Sequence, residues 1–345
     1  MKYLPIAAAV ILSACTAAAA GDNYSLTVNL PAKTNGQTAF LVNYDNGDKI
    51  DSVTVANGKA VFNGTLGKPM LARVVVDGNR FGNLILEKGT LTLTNGAVSG
   101  GAVNTSLENA MKGITDIQRR ASQLPQDSTG AAAMKSLEKE YYNYIDSVIR
   151  VNSDNPIGYM FFIEQAYNYD LPTLRKKLEQ YPAMKSYERI RKLTSALEQK
   201  EKTMPGNKFI DFTIKNDTTE QKLSDYVGKG RYTLVDFWAS WCGPCIRETK
   251  VLKQIREQFA DKPLDILGVA VWDEPAKTEA AIKRHQLPWP QIINAQSVPT
   301  DLYGISGIPC IILFSPDGTI ISRDLQGQDL IDSVAAALNA PAKAE

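Results

Sequence analysis

The sequence predicts a multidomain protein: an N-terminal β-sandwich, an α-helical middle segment and a C-terminal α/β domain. Three patterns predict it. From Tyr24 to about Thr94 apolar and polar residues alternate with Asn-Gly punctuation, the period of strands joined by tight turns. From about Leu107 to Thr203 the chain is dominated by Glu, Lys, Ala and Leu, all good helix formers. Beyond that, nearly continuous apolar runs alternate with helical stretches, as strands buried on both faces require. With 345 residues the chain can hold two or three cores of its own. The boundaries fall at 1–20 for an export segment and linker, 24–105 for the sandwich, 106–203 for the helices and 207–340 for the α/β domain.

The first element is an export signal: Lys2, then an apolar stretch from Ile6 to Leu12, too short to span a bilayer permanently. Two cleavage readings compete. Leu12-Ser13-Ala14-Cys15 resembles the lipobox of bacterial lipoproteins, in which the Cys is lipidated and becomes the first mature residue. Ala18-Ala19-Ala20 before Gly21 suits ordinary signal peptidase. The apolar core ends right at Cys15, which favours the lipobox and makes Cys15 the expected lipidation site. No later segment reads as a membrane span.

In the sandwich, Tyr24, Leu26, Val28 and Leu30 share one strand face, and Asn46-Gly47, Asn57-Gly58 and Asn63-Gly64 predict hairpin turns. Asp45, Asp48 and Asp51 lack the spacing of a calcium loop and are expected to be solvated turn carboxylates. Among the helices, Asn155-Pro156 marks a start and Tyr181-Pro182 a boundary. The aromatics Tyr141, Tyr142, Tyr144, Tyr159, Phe161, Phe162, Tyr167 and Tyr169 are expected in the core. Lys202 to Lys208, "KTMPGNK", reads as a linker. Then come a strand at Tyr232 to Trp238, a helix from Cys245, and strands at Asp265 to Trp272, Cys310 to Phe314 and Thr319 to Arg323. A helix over Leu330 to Leu338 closes the chain. A βαβ unit followed by a hairpin and helix makes a mixed sheet covered on both faces.

The net charge is +1, from 38 Lys and Arg against 37 Asp and Glu, which provides no field for nucleic acid. The four cysteines, at 15, 242, 245 and 310, are too few and too scattered for a disulfide-stapled scaffold. Cys242 and Cys245 form a C-x-x-C pair. Zinc needs a second pair or suitably spaced histidines, and only Cys310 and His285 remain. Haem attachment needs His after the second Cys, where Ile246 stands. Redox exchange needs a strand ending before the pair and a helix starting at it, and both are predicted. At the helix N-terminus Cys242 is the attacking thiol, at the exposed end, and Cys245 the resolving one. Pro244 suits the first helical turn. Asp236, buried in "YTLVDFW", is positioned to take the proton of Cys245. Such chemistry needs no cofactor.

"LVDFWASWCGPC" resembles thioredoxin, and "GISGIPCIILFSPDGTI" resembles the segment carrying that family's cis-proline. Trp241, Cys242, Gly243, Pro244 and Cys245 match the redox motif, Asp236 the buried acid, and Ile308-Pro309 the cis-prolyl pair that shields Cys245. The lead-in from Phe209 resembles the TlpA/ResA branch of extracytoplasmic thioredoxins. "DSVTVANGKAVFNGTL" and "LILEKGTLTL" resemble the N-terminal domain of unknown function that precedes such modules in many Bacteroidota lipoproteins. The resemblance implies a C-terminal thioredoxin fold and a membrane-anchored thiol-disulfide oxidoreductase of the cell envelope. Gly-Pro between the cysteines resembles reducing thioredoxins and implies a reductase or isomerase. Protein disulfides are then the substrates and a membrane thiol carrier the electron donor. Thr16 after Cys15 implies a periplasm-facing place on the outer membrane. Two departures stand out: "DILGVAVWD" has no Lys near the buried acid, and Cys310 follows the cis-proline. Cys310 opens a buried strand and is expected to be inert; His285 is expected in an exposed loop. The alternatives are a peroxiredoxin-like peroxidase and a non-enzymatic ligand-binding surface lipoprotein.

Overall fold

The computed structural model describes residues 23–215 and 220–340; Cys15 and both cleavage readings lie outside the described residues. The described chain divides into two compact units, residues 23–168 with 177–190, and residues 169–176 with 191–340.

In the first unit the alternating segment forms eight strands: β1 (Asn23–Asn29), β2 (Thr38–Asn43), β3 (Lys49–Thr54), β4 (Lys59–Thr65), β5 (Met70–Val76), β6 (Asn79–Leu86), β7 (Gly89–Thr94) and β8 (Ala97–Ser99). They make two four-stranded sheets, ordered β4-β1-β7-β8 and β3-β2-β5-β6. Leu26, Val28, Phe62 and Leu91 from one sheet share a buried core with Leu41, Val74, Leu84 and Leu86 from the other. This is the expected sandwich, each strand burying alternate residues.

Two turn expectations change. Asn63 and Gly64 lie inside β4, paired with Ser25 and Tyr24. A Cβ on Gly64 would stand 2.8 Å from Tyr24 Oη, so this glycine admits the ring of Tyr24 and makes no turn. Asn57 and Gly58, both with positive φ, do turn the chain, but between strands of different sheets. Of the three expected turns, only Asn46-Gly47 joins a paired hairpin, β2 to β3. Hairpins also do not suffice: β1 pairs with β7 in parallel, Tyr24 opposite Gly89.

The helices are α1 (Ala102–Ser122), α2 (Ser128–Val151), α3 (Pro156–Ala166), α4 (Leu171–Gln180) and α5 (Glu188–Lys202). Asn155 caps α3 through its bond from Ile157 N–H, with Pro156 where a missing N–H costs nothing. Tyr159, Phe161 and Phe162 are buried, whereas Tyr142 and Tyr167 are more than half exposed, so only part of the aromatic cluster is core. Asp45 is not a solvated turn carboxylate. It accepts from Tyr159 Oη at 2.7 Å and from the first N–H groups of α5, Glu188 at 2.7 Å and Arg189 at 3.0 Å. A carboxylate at a helix N-terminus satisfies donors that have no partner within the helix.

In the second unit β9 (Thr213–Lys215) and β10 (Glu220–Lys222) form a small antiparallel pair. The main elements follow: β11 (Tyr232–Trp238), α6 (Gly243–Gln258), β12 (Leu264–Ala270), α7 (Pro275–His285), β13 (Gln291–Ile292), α8 (Val298–Tyr303), β14 (Cys310–Phe314), β15 (Ile320–Arg323) and α9 (Gly327–Asn339). The sheet order is β13-β12-β11-β14-β15, parallel from β13 to β11 and antiparallel beyond. Apolar clusters cover both faces. Val235, Phe237, Leu267 and Ile312 point into one; Leu234, Trp238, Ile266 and Ile311 point into the other, against Leu252 and Ile255 of α6 and Leu330 and Val334 of α9.

The segment from Lys202 to Lys208 is no free linker. Gly206 N–H donates to Ile320 O, and Ile320 N–H to Asn207 O, each at 2.8 Å. Thr203 is buried, its backbone and hydroxyl oxygens accepting from Arg323 Nη1. Its Pro-Gly composition gave the turn but not the partners. Among the described residues no helix is long and apolar enough to cross a membrane.

Candidate active site

β11 runs apolar to Trp238 and delivers the chain at the carboxyl end of the parallel strands, where Cys242 begins α6. Cys242 and Cys245 are joined by a disulfide with Cα atoms 5.3 Å apart. Cys242 is the N-cap of α6, its Sγ accepting from Cys245 N–H at 3.2 Å. That end of the helix carries unpaired N–H groups and partial positive charge, so it favours a thiolate at Cys242. The peptide between Ile308 and Pro309 is cis, and the Ile308 carbonyl oxygen lies 3.7 Å from Cys242 Sγ.

The expectation of an exposed Cys242 is corrected: it is only 4 % exposed, against 0 % for Cys245. Its sulfur is folded back onto the first turn of the helix by its bond from Cys245 N–H. The exposed group is Trp241, at 61 %, whose Nε1–H donates to Trp272 O at 3.0 Å. Trp272 has a φ of 53°, unusual for a bulky residue. The loop before the cysteines is tied down by Asp273, which accepts from Ser240 N–H at 2.7 Å, Ser240 Oγ at 2.9 Å and Thr278 Oγ1 at 2.8 Å.

Asp236 is 1 % exposed, with Oδ1 buried and without a hydrogen-bond partner. Burial, and then the nearby charge of Glu248, pushes its carboxyl up to about 8. Sequence reasoning missed Glu248. It is buried on α6 one turn after Cys245, and its Oε1 accepts from Gly327 N–H at 2.7 Å, at the start of α9. Its spacing of three from Cys245 on the same helix was the available signal.

Residues 205–323 match the AhpC/TSA family, and residues 24–106 match a domain of unknown function, DUF4369. Over 116 residues the chain is 28% identical to the thiol-disulfide oxidoreductase ResA of Geobacillus thermodenitrificans, covering 33% of this chain and 66% of that protein. It is 30% identical over 101 residues to ResA of Geobacillus kaustophilus, covering 29% and 57%. The chain therefore spans less than two thirds of either relative. The C-terminal domain is thus similar to the thioredoxin-family domains of ResA-type thiol-disulfide oxidoreductases. A solved thioredoxin domain of a thiol-disulfide oxidoreductase from Bacteroides vulgatus is 32% identical, with 39% of this chain and 98% of that one covered and a TM-score of 0.35.

Within this thioredoxin domain Cys310 lies on the sheet face opposite the redox pair. It packs with Phe237 and Ile312, while Cys242 and Cys245 pack with Trp238 and Ile311. Its Sγ donates to Asp324 Oδ1 at 3.2 Å. Burial, reinforced by the Asp324 charge, pushes this thiol well above its ordinary range. His285 is not in an exposed loop: it ends α7, half-buried, and its carbonyl oxygen accepts from Lys253 Nζ at 2.7 Å.

Proposed function

We propose that the chain is a membrane-anchored, extracytoplasmic thiol-disulfide reductase or isomerase that works on protein disulfides by dithiol exchange. The observation that carries this reading is the Cys242–Cys245 disulfide at the N-terminus of α6, with Asp236 buried in the sheet beneath that helix. In the reduced protein the Cys242 thiolate attacks one sulfur of a substrate disulfide. That bond breaks, a substrate thiolate leaves, and a mixed disulfide forms. Asp236, ionised, takes the proton of Cys245. The Cys245 thiolate then attacks Cys242 Sγ, the mixed disulfide breaks, and the second substrate sulfur leaves as a thiolate that is protonated. Two electrons have passed to the substrate. A membrane thiol carrier returns them, since the periplasm is kept oxidising. The exposed Trp241 offers an apolar surface beside the sulfur pair for the incoming chain.

The anchor is lipid on Cys15, since two or more acyl chains at about 0.8 kcal/mol per buried CH₂ hold a protein stably. Thr16 supports a periplasm-facing place on the outer membrane. Cys15→Ser is expected to release the protein to the soluble fraction; a mature N-terminus at Gly21 would refute lipidation.

The deciding test is insulin reduction by the reduced protein, with peroxide consumption measured in parallel. Turnover of insulin alone is expected. Peroxide consumption without insulin reduction would favour the peroxidase alternative, and neither activity would favour a ligand-binding role. In cells Cys245→Ala is expected to trap substrates on Cys242. Alkylation of the reduced protein near neutral pH should modify Cys242 first, and preferential labelling of Cys245 would overturn the assignment.

A further inference from the structure

Asp236, Gly268 and Gln291 occupy one register row across three neighbouring strands, Asp236 opposite Gly268 and Gly268 opposite Gln291. Residues opposite each other in a sheet share a face, here the one covered by α6 and α9. The middle position has no side chain, and Gln291 fills it. A Cβ on Gly268 would stand 2.0 Å from Gln291 Oε1, 2.5 Å from Cδ and 2.6 Å from Nε2. The carboxamide therefore lies over Gly268, one strand spacing of about 4.8 Å from the strand of Asp236.

The orientation of that amide follows from its neighbour. Trp238 Nε1–H, which can only donate, meets the amide at 3.0 Å, so the atom it meets is Oε1. Nε2 is left buried without a hydrogen-bond partner, and so is Asp236 Oδ1. A buried donor and a buried acceptor, both unsatisfied, flank the same glycine. Each alone costs about 1–3 kcal/mol.

We propose that Gln291 is a positioning residue of the redox reaction: its Nε2–H reaches the Asp236 carboxylate through one bridging water, and so governs the pH at which Asp236 takes the proton of Cys245. A neutral donor stabilises the carboxylate over the acid without adding a charge. The other groups facing Asp236 cannot do this. α6 brings Glu248, whose negative charge opposes ionisation, and the two cysteines. Gly268 of β12, Ile311 and Leu313 of β14 and Leu330, Ile331 and Val334 of α9 bring neither charge nor side-chain donor.

The inference rests on the reading of Asp236 as the base for Cys245, and its test separates the two. The full reduced chain is mixed with dithiobis(nitrobenzoate) across the pH range by stopped flow. The first thionitrobenzoate reports attack by Cys242, and the second reports resolution by Cys245. Gln291→Met keeps the volume and removes the amide. Its resolution profile is expected to move up by about one pH unit, the loss of one water-mediated hydrogen bond to a charged group, with the first release unchanged. Gly268→Ala, whose Cβ displaces the amide, is expected to move it the same way should Gln291→Met fail to fold. The Asp236 carboxyl shift, followed by carbon NMR, should move in parallel. An unchanged profile in both variants, with Asp236→Asn abolishing the pH dependence, would overturn the role of Gln291. An unchanged profile in Asp236→Asn itself would overturn the role of Asp236, and the inference with it.

Discussion

Replacing Asp236 by Asn should make the thioredoxin unit more stable, and increasingly so as pH rises. The folded carboxyl holds its proton up to about pH 8, raised by burial and by Glu248, against 3.8 for the free group. Below about pH 4 both folded and unfolded states are protonated, and the group makes no pH-dependent difference. Between about pH 4 and about pH 8 the unfolded chain ionises while the folded one does not, so stability falls. Above about pH 8 the loss levels off. At about 1.36 kcal/mol per pH unit, the loss between about pH 5 and about pH 9 is on the order of 4 kcal/mol. Asn stays neutral throughout and retains only the cost of a buried amide, about 1–3 kcal/mol at any pH. The Tm of the oxidised wild type minus that of Asp236→Asn should therefore change by about 8–16 °C across this interval, in favour of the variant at high pH. Titrating groups that do not interact with Asp236 are common to both proteins and cancel. Parallel stability curves, whatever their offset, would show that Asp236 ionises normally in the folded state and would sink both this reasoning and the proton transfer built on it.

Three further outcomes are expected. Cys310→Ala should leave insulin reduction unchanged, with peptide mapping of the oxidised wild type finding only the Cys242–Cys245 bond; any bridge to Cys310 contradicts its place on the far face of the sheet. Arg323→Met strips the donor from Thr203 O, Thr203 Oγ1 and Tyr303 O, and should lower unit stability by about 3–5 kcal/mol while speeding amide exchange at Gly206; undiminished protection there would contradict it. Asp45→Ala should cost the first unit about 2–3 kcal/mol, read as an earlier tyrosine-detected transition, because the start of α5 and the Tyr159 hydroxyl lose their acceptor together.

The thioredoxin half was the more legible one, because strands covered on both faces must be apolar along their length. Tyr232–Trp238 and Cys310–Phe314 were thus marked with their bounds, and the cysteine pair and Asp236 followed from position relative to the first. Groups that meet only through sheet register were invisible. Nothing local marks Gly268 as the seat of an amide from Gln291, and the spacing of Glu248 from Cys245 does not tell that α9 closes over it. Asp45 reads as solvated and Lys202–Lys208 as a linker for the same reason: the partners of Asp45 and Thr203, Glu188 and Arg323, are distant in sequence. Alternation predicts a strand but not its neighbour, so the parallel pairing of β1 was beyond it.

That pairing has a kinetic side. β1 precedes the other described strands along the chain, yet it lies between β4 and β7, and its contact from Asn29 to Thr94 spans 65 residues. Non-local contacts of this kind slow folding, since the intervening chain must be ordered before they form. The unit also draws in residues 177–190, which emerge later still. A nascent chain thus holds the apolar face of β1 and β4 open until β7 has emerged, and the unit is not complete until residue 190, the condition in which strand edges aggregate. Its yield in a cell should accordingly depend on a holding chaperone more steeply than its equilibrium stability would indicate.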